Sequence, residues 1–464
     1  MTSRDEPVPG SADAMARDPR LGRATSEQLT VAALDRIAHH DGSIHAFLAV
    51  DAAGAIAAAR AADAALAAGR DLGPLQGIPF AIKDIYDVQG QPTTCQSRVQ
   101  SGHVAVSNAA VVDRLQAAGA VLIGKLDTFE YALGGPSRDL PKPAARNPWN
   151  TAHETGGSSS GSGAAIAAGY VPLALGTDTT GSIRGPAAWC GAVGLKPTFG
   201  RVSRRGVFPL ASSLDHCGPL ARSVRDAATC LQVIAGHDAA DPQSANRPVP
   251  DYTSSLEQGV GGMTVGVPRS FFEGDPALSD DQRQALARSE ALFRAAGARI
   301  VDVALPGYRV FMACARLIMA AEAFAIHRDN LRGRLGAFGE IAARRFAIGA
   351  GIAEADHADC LRLKTQLTKQ VQAALAPCQM MLTPIALAAA PPLATSSRPV
   401  VWPLQASPWN LTGHPAIAVP MGLGRGGLPL SVQLVGPHWS EATVLRGARV
   451  LERSSGWAGV RLPL

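Results

Sequence analysis

Aromatic side chains are scarce in this 464-residue chain, at 5% of its residues. The core therefore cannot be built on stacked rings. With 47% hydrophobic residues, mostly alanine and aliphatics, and 48 glycines, it must rely on aliphatic contacts and close backbone packing. Cysteine is sparse and unpatterned. The 7 cysteines (Cys95, Cys190, Cys217, Cys230, Cys314, Cys360 and Cys378) are widely spaced with no C-x-x-C pair, which argues against a disulfide framework or a zinc site. A reducing cytoplasm is the expected compartment. Lysine is rarer still, with 6 in all. The remaining basic residues are scattered arginines and the net charge is only +5, so no nucleic-acid stripe is expected. No apolar run reaches the roughly 18 residues a spanning helix needs, so no membrane partner is expected. The N-terminus, M-T-S-R-D-E-P-V-P-G, lacks the apolar stretch of a secretory signal. The first 20 residues are polar and proline-containing and are expected to be partly disordered.

What is present is alternation. Thr25 to Gln28 reads as a capping box opening a helix that runs toward Ala49, and the alanine-rich stretch 51–68 as a second helix stopped by Gly69. G-I-P-F-A-I-K-D and A-V-L-I-G-K read as strands around a helix at 108–118. Ala164 to Ala168 reads as a short helix and Val171 to Leu175 as a strand. From Met263 the pattern restarts: strand, helix (Asp280 to Ala296), strand, a largely helical region at 308–376, further short strands, and a closing helix from Glu441 to Arg453. This predicts an α/β fold: one large domain over residues 21–464, with a central mixed, mostly parallel twisted sheet covered by helices on both faces.

Two glycine- and serine-rich turns carry the chemistry. The second, G-T-D-T-T-G-S-I-R, directly follows a strand. It could aim the Ser182 hydroxyl and the N–H groups of Thr179, Thr180, Gly181 and Ser182 into one crevice, where they would hold an oxyanion; the alternative is a plain packing turn. The first, G-G-S-S-S-G-S-G, could cap the following helix or bind phosphate, but no G-K-[S/T] follows and G-x-G-x-x-G is absent. Its formal G-x-S-x-G match lacks the preceding apolar strand of a nucleophile elbow. Lys83 closes the apolar strand I-P-F-A-I-K. A buried amine there would lose its proton easily and could serve as a base; alternatively it pairs with Asp84 or snorkels to water. Lys196, in G-L-K-P-T, is in a similar setting, and the residues alone do not decide between the two.

These segments, with S-L-D-H-C-G-P-L-A-R downstream, resemble the amidase signature family across roughly residues 25 to 455. The resemblance implies a Ser–cis-Ser–Lys triad. Ser182 is then the nucleophile, Ser158 the bridging serine whose peptide bond is cis in relatives, and Lys83 the base. Lys196 becomes structural, Asp178 and Arg184 brace the nucleophile turn, and His216, Cys190 and Cys217 are structural. It implies acyl transfer with no metal or other cofactor, acting on a small-molecule amide or carbamate, with anilides and esters as further candidates. A homodimer is ordinary for the family.

Departures bear on the substrate. Thr180 stands where many relatives have glycine, adding a side chain beside the oxyanion loop. Ser160 and Gly163 also differ from the commonest form. Glutaminase subunits of tRNA-dependent amidotransferases usually carry an acid before the segment corresponding to S-P-W-N-L-T-G-H-P, which holds the glutamine α-amino group. Here V-W-P-L-Q-A has none, so a free-standing amidase is expected, with the glutaminase subunit or a catalytically silent binding protein as the alternatives. The substrate pocket is expected from the Tyr131 to Ser137 loop, the helical region 310–350 and the Trp402 to Trp409 segment, with Tyr131, Leu133, Gly134, Trp402 and Trp409 as candidates. An apolar lining of Phe311, Met312, Ile318, Trp402 and Trp409 would suit aryl or alkyl amides, the alternative being that these are core residues.

Overall fold

A computed structural model describes residues 10–135, 137, 139–393 and 405–460. Its eleven strands are β1 (Phe47–Val50), β2 (Pro79–Lys83), β3 (Val121–Leu126), β4 (Leu173–Asp178), β5 (Val193–Lys196), β6 (His216–Ala221), β7 (Thr264–Val267), β8 (Arg299–Asp302), β9 (Met380–Pro384), β10 (Ala416–Leu423) and β11 (Pro429–Val435). They form a single sheet in the order β1-β3-β2-β4-β6-β5-β10-β11-β9-β7-β8. The α/β class, the mixed sheet and its helical cover are as the sequence implies; the parallel majority is not. β2 runs parallel to β3 and β4, and β7 parallel to β8 and β9. The centre, from β4 through β6, β5, β10 and β11 to β9, is antiparallel. The two flanks keep helical crossovers, whereas β10 and β11 pair across a short turn, which permits antiparallel neighbours.

The pleat explains why the sheet is covered twice. Phe80 and Ile82 join one apolar core while Ala81 joins the other, and Leu173 and Leu175 likewise part from Ala174. Side chains alternate faces along a strand. On the second face β2 and β4 present the alanines Ala81 and Ala174, and the glycine- and serine-rich helix Ser160–Ala167 lies against them, burying Ala164 and Ala165. This is how a chain poor in aromatics fills its interior.

Three expectations are corrected. Within the first 20 residues, expected to be partly disordered, 12–20 form a helix, with the Ser11 hydroxyl accepting from Ala14 N and with Ala12 and Ala16 buried; residues 1–9 lie outside the described residues. The capping box at Thr25 forms, but its helix ends at Ile44, where His45 turns left-handed, and β1 follows. The helix Tyr308–Gly333 is, by length and composition, apolar enough to cross a membrane. Its Phe311, Cys314, Ala315 and Ile318 are buried in the protein's own core.

Candidate active site

The site forms where the sheet changes from parallel to antiparallel. Lys83 ends β2 and Asp178 ends the adjacent parallel β4, whose other neighbour, β6, is antiparallel. Both C-terminal strand ends therefore open on one crevice. Lys83 is fully buried and its Nζ donates to Ser158 Oγ at 2.8 Å and to Thr177 Oγ1 at 2.9 Å. Burial, partly offset by the nearby Asp215 and Asp178, lowers its pKa from 10.5 to about 7. Asp84 does not take this lysine; it pairs with Lys125 at 2.8 Å. Lys196, also buried, donates to the carbonyls of His414 (2.6 Å) and Pro197 (3.1 Å). The geometry thus separates the two lysines: one meets a serine hydroxyl, the other only backbone.

The first turn carries Ser158 behind a cis Gly157–Ser158 peptide bond. Gly157 is fixed by its neighbour, since a Cβ there would lie 2.1 Å from the Phe129 ring. Asp127 anchors the turn, its carboxylate accepting from Ser160 Oγ (2.7 Å) and its carbonyl from Gly161 N (3.0 Å). The turn is stitched to its partner by Ser159, whose N–H reaches the Ser182 carbonyl at 3.3 Å and whose hydroxyl exchanges hydrogen bonds with the Thr177 backbone.

The second turn is built around Asp178. Its carboxylate accepts from Gly181 N (2.7 Å), Ile183 N (3.2 Å) and Arg184 N (3.3 Å). The Arg184 guanidinium grips the same carboxylate at 2.9 and 3.0 Å and reaches Asn410 Oδ1 at 2.6 Å. Burial alone would push the Asp178 carboxyl up, but Arg184 and its other donors hold it well below the usual range. Asp178 and Arg184 thus stand where a bracing role needs them. The expected oxyanion set changes in one member: the Gly181 N–H is already given to Asp178, whereas those of Thr179, Thr180 and Ser182 have no acceptor among the described residues. Gly181 still has a structural reason, because a Cβ at its φ of +127° would meet the Ala406 Cβ at 2.6 Å.

Ser158, Thr180, Gly181 and Ser182 face a cleft of about 400 Å³. Of the expected pocket residues, Leu133, Gly134 and Met312 line it. Tyr131 does not; it is buried in a ring cluster with Phe208, His327, Phe338 and Phe346. Trp409, Phe311 and Ile318 are core residues with no exposed surface, Trp409 lying against Phe271. Trp402 lies outside the described residues. His216, Cys190 and Cys217 are buried, and none lines the cleft. Arg316 and Arg345, in the expected helical region 310–350, and Ser407, in the expected segment 402–409, line it without having been singled out. Sequence reasoning passed over Phe129 and Tyr308, which also line it, and Thr177 and Asp127, which hold the lysine and the first turn. Thr177 was legible in principle, two residues along β4 from Leu175.

The Amidase family model matches residues 28–445. The chain belongs to the amidase signature family. Among curated members it is 40% identical to a glutamyl-tRNA(Gln) amidotransferase subunit from Anaeromyxobacter sp. (strain K), over 93% of each chain. Among solved structures it superposes at TM-score 0.91 and 33% identity on a chain from a vestigial protein complex bearing on the origins of an s-triazine catabolic enzyme, covering 98% of this chain and 100% of that one. On native peptide amidase from Stenotrophomonas maltophilia the TM-score is 0.85 at 31% identity, covering 99% of each. The family match begins at Gln28, beyond the N-terminal helix 12–20, and spans every strand of the sheet.

Proposed function

We propose that this protein is a serine hydrolase of carboxylic amides, working through Ser182, Ser158 and Lys83. The observation that carries the reading is the 2.8 Å contact between a fully buried lysine amine and the Ser158 hydroxyl, beside a cleft that exposes Ser182. At a pKa of about 7, a large share of Lys83 is neutral at neutral pH. The neutral amine accepts across the same 2.8 Å contact. Ser182 attacks the carbonyl, its proton passes to Ser158, and that of Ser158 passes to Lys83. The N–H groups of Thr179, Thr180 and Ser182 receive the oxyanion. The relay then runs back to protonate the leaving amine, and water frees the acyl group by the same route. Carbamates, anilides and esters place a carbonyl in the same position and fall within the reading. All seven cysteines are buried free thiols, which suits the reducing cytoplasm.

The test compares wild type with Ser182→Ala on aliphatic and aryl amides, small carbamates, esters and glutamine. Amide turnover should fall by about 10³-fold or more in the variant, and a fluorophosphonate should label Ser182 in the wild type only. Amide turnover that survives Ser182→Ala would sink the assignment. A second reading, a glutaminase subunit, draws on the 40% identity to an amidotransferase subunit; glutamine turnover that depends on partner subunits would favour it.

A further inference from the structure

The nucleophile turn is a partition between two cavities. Thr180, Gly181 and Ser182 face the cleft. Thr177 and Thr179 instead line a second cavity, of about 320 Å³, which Asp215, Cys217 and Arg204 also border. The two halves of the turn are held differently. Asp178 takes the N–H groups of Gly181, Ile183 and Arg184, and none from Thr179 or Thr180. The first half is gripped from the far side: Thr179 Oγ1 donates to Asp215 Oδ1 at 2.7 Å. Asp215, in the S-L-D-H-C-G run just before β6, is itself fixed. Its Oδ2 accepts from Leu210 N at 2.9 Å, and its two oxygens lie 3.1 and 3.0 Å from Ala211 N. Leu210 borders both cavities, so this carboxylate ties the oxyanion loop to a wall of the cleft.

Asp215 also enters the charge balance of the base. The groups that act most on Lys83 are Asp215, Asp178, Cys217 and Cys95. Burial keeps both thiols, and the neighbouring Tyr86 phenol, in their neutral forms. Asp178 is already paired with Arg184 at 2.9 Å. Asp215 is thus the carboxylate that chiefly supports the Lys83 ammonium against burial. Facing Asp215 is Arg204, shared with Asp241 at 3.7 Å. The helices behind bring Lys364 and Glu322 to the backbone of Ser213, two residues away. Oxyanion donors act best when fixed before the charge develops, and a misplacement of about 1 Å costs on the order of 10²-fold. A hydrogen bond to a charged acceptor is roughly twice as strong as a neutral one, so Asp215 holds Thr179 firmly from behind and leaves its N–H free to face forward. We propose that Asp215 is a positioning residue for acyl transfer, its carboxylate fixing the Thr179 end of the oxyanion loop and setting a negative charge beside Lys83. This rests on the amidase reading above and deepens it.

The experiment uses a fluorophosphonate as probe. Ser182 attacks its phosphorus, an Oγ–P bond forms and fluoride leaves, so labelling needs the base and the oxyanion donors and requires no particular amide. The second-order rate of labelling at Ser182 is followed from about pH 5 to about pH 10. In Asp215→Asn the plateau rate should fall by about tenfold or more. Its acid limb should also move down by about half a pH unit or more, because loss of the carboxylate removes support for the ammonium. Thr179→Val breaks the same hydrogen bond and keeps the charge, so its plateau should fall by a similar factor with the limb unmoved. Thr179→Ser keeps the hydroxyl and should recover most of that loss. The double variant Asp215→Asn/Thr179→Val should lie within about threefold of the slower single variant, since both remove one bond. A carboxylate that only supported the fold would lower the rate without moving the limb. A limb that stays or rises in Asp215→Asn would overturn the proposal. So would a Thr179→Val plateau within about threefold of wild type, a result that decides even where Asp215→Asn does not fold. Wild-type protein left unlabelled at Ser182 would remove the amidase reading and the proposal with it; wild-type labelling that every variant reproduces would remove the proposal alone.

Discussion

At the scale of single residues, the chemistry depends on the charge of one amine. Lys83 makes no ion pair among the described residues; two hydroxyls, Ser158 and Thr177, are its partners. Burial disfavours the ammonium, and a pKa of about 7 means that proton acceptance fails as pH falls through neutrality. The rate of amide hydrolysis should therefore rise with pH through about 7 and level off above it. Lys83→Met should remove this limb and lower the rate by about 10³-fold, as loss of a relay member does. A pH–rate profile of kcat/KM reads both. An acid limb close to the ordinary lysine value, 10.5, would show that the amine is not held neutral and would refute the assignment of Lys83 as base.

At the scale of elements, the site depends on two turns held at a fixed distance, and the close approach of Phe129 to Gly157 sets one of them. Gly157→Ala would place a Cβ 2.1 Å from the ring, so the first turn must shift and carry Ser158 off Lys83. Activity should fall by about 10²-fold, the scale of a misplacement of about 1 Å. Adding Phe129→Ala should recover a good part of it by making room. Steady-state kinetics on the single and double variants decide: no recovery would place the cost in the glycine backbone and not in the contact. Much of this arrangement was legible in the sequence. The strand ending at Lys83 and both serine turns could be read from local pattern, because each is written in a few consecutive residues; the Asp178–Arg184 brace came only from the family resemblance. β5 and β6 were not read as strands. Their segments, V-G-L-K and H-C-G-P-L-A, carry glycine or proline, which ordinarily count against a strand interior; the ladders of β6 to β4 and of β5 to β6 and β10 override that local preference. The cleft was legible least. Tyr131 and Trp409 went to the core while Arg316 and Arg345 reached the cleft, because helical spacing gives a face without saying which neighbour that face meets.

At the scale of the whole molecule, the N-terminal helix shows how a peripheral element is tied to the sheet. Asp226, in the helix Val224–Ile234, is buried and its Oδ1 accepts the Asp13 N–H at 3.0 Å, at the start of the helix Ala12–Arg20. Its Oδ2 finds no hydrogen-bond partner among the described residues. Burial dominates, and the nearby Glu452 adds to it, so the carboxyl is pushed up to about 7 despite the donors at the helix start. The sign follows from linkage. The folded state holds this proton more tightly than the unfolded chain, whose aspartate titrates near the ordinary value of 3.8. The stability this group supports is fully present below about 4 and is lost as pH rises toward 7. At about 1.4 kcal/mol per pKa unit, the loss has an upper bound of about 4 kcal/mol. Asp226→Asn keeps an oxygen for the Asp13 N–H and cannot ionise. Its stability relative to wild type should therefore climb between about pH 4 and about pH 7 and level off above, as measured by urea unfolding at each pH, and trypsin cleavage at Arg17 and Arg20 should slow in parallel at the upper end. A wild-type-minus-variant difference that stays flat across that interval would mean Asp226 is already ionised in the folded protein, held by the N–H groups of the N-terminal helix.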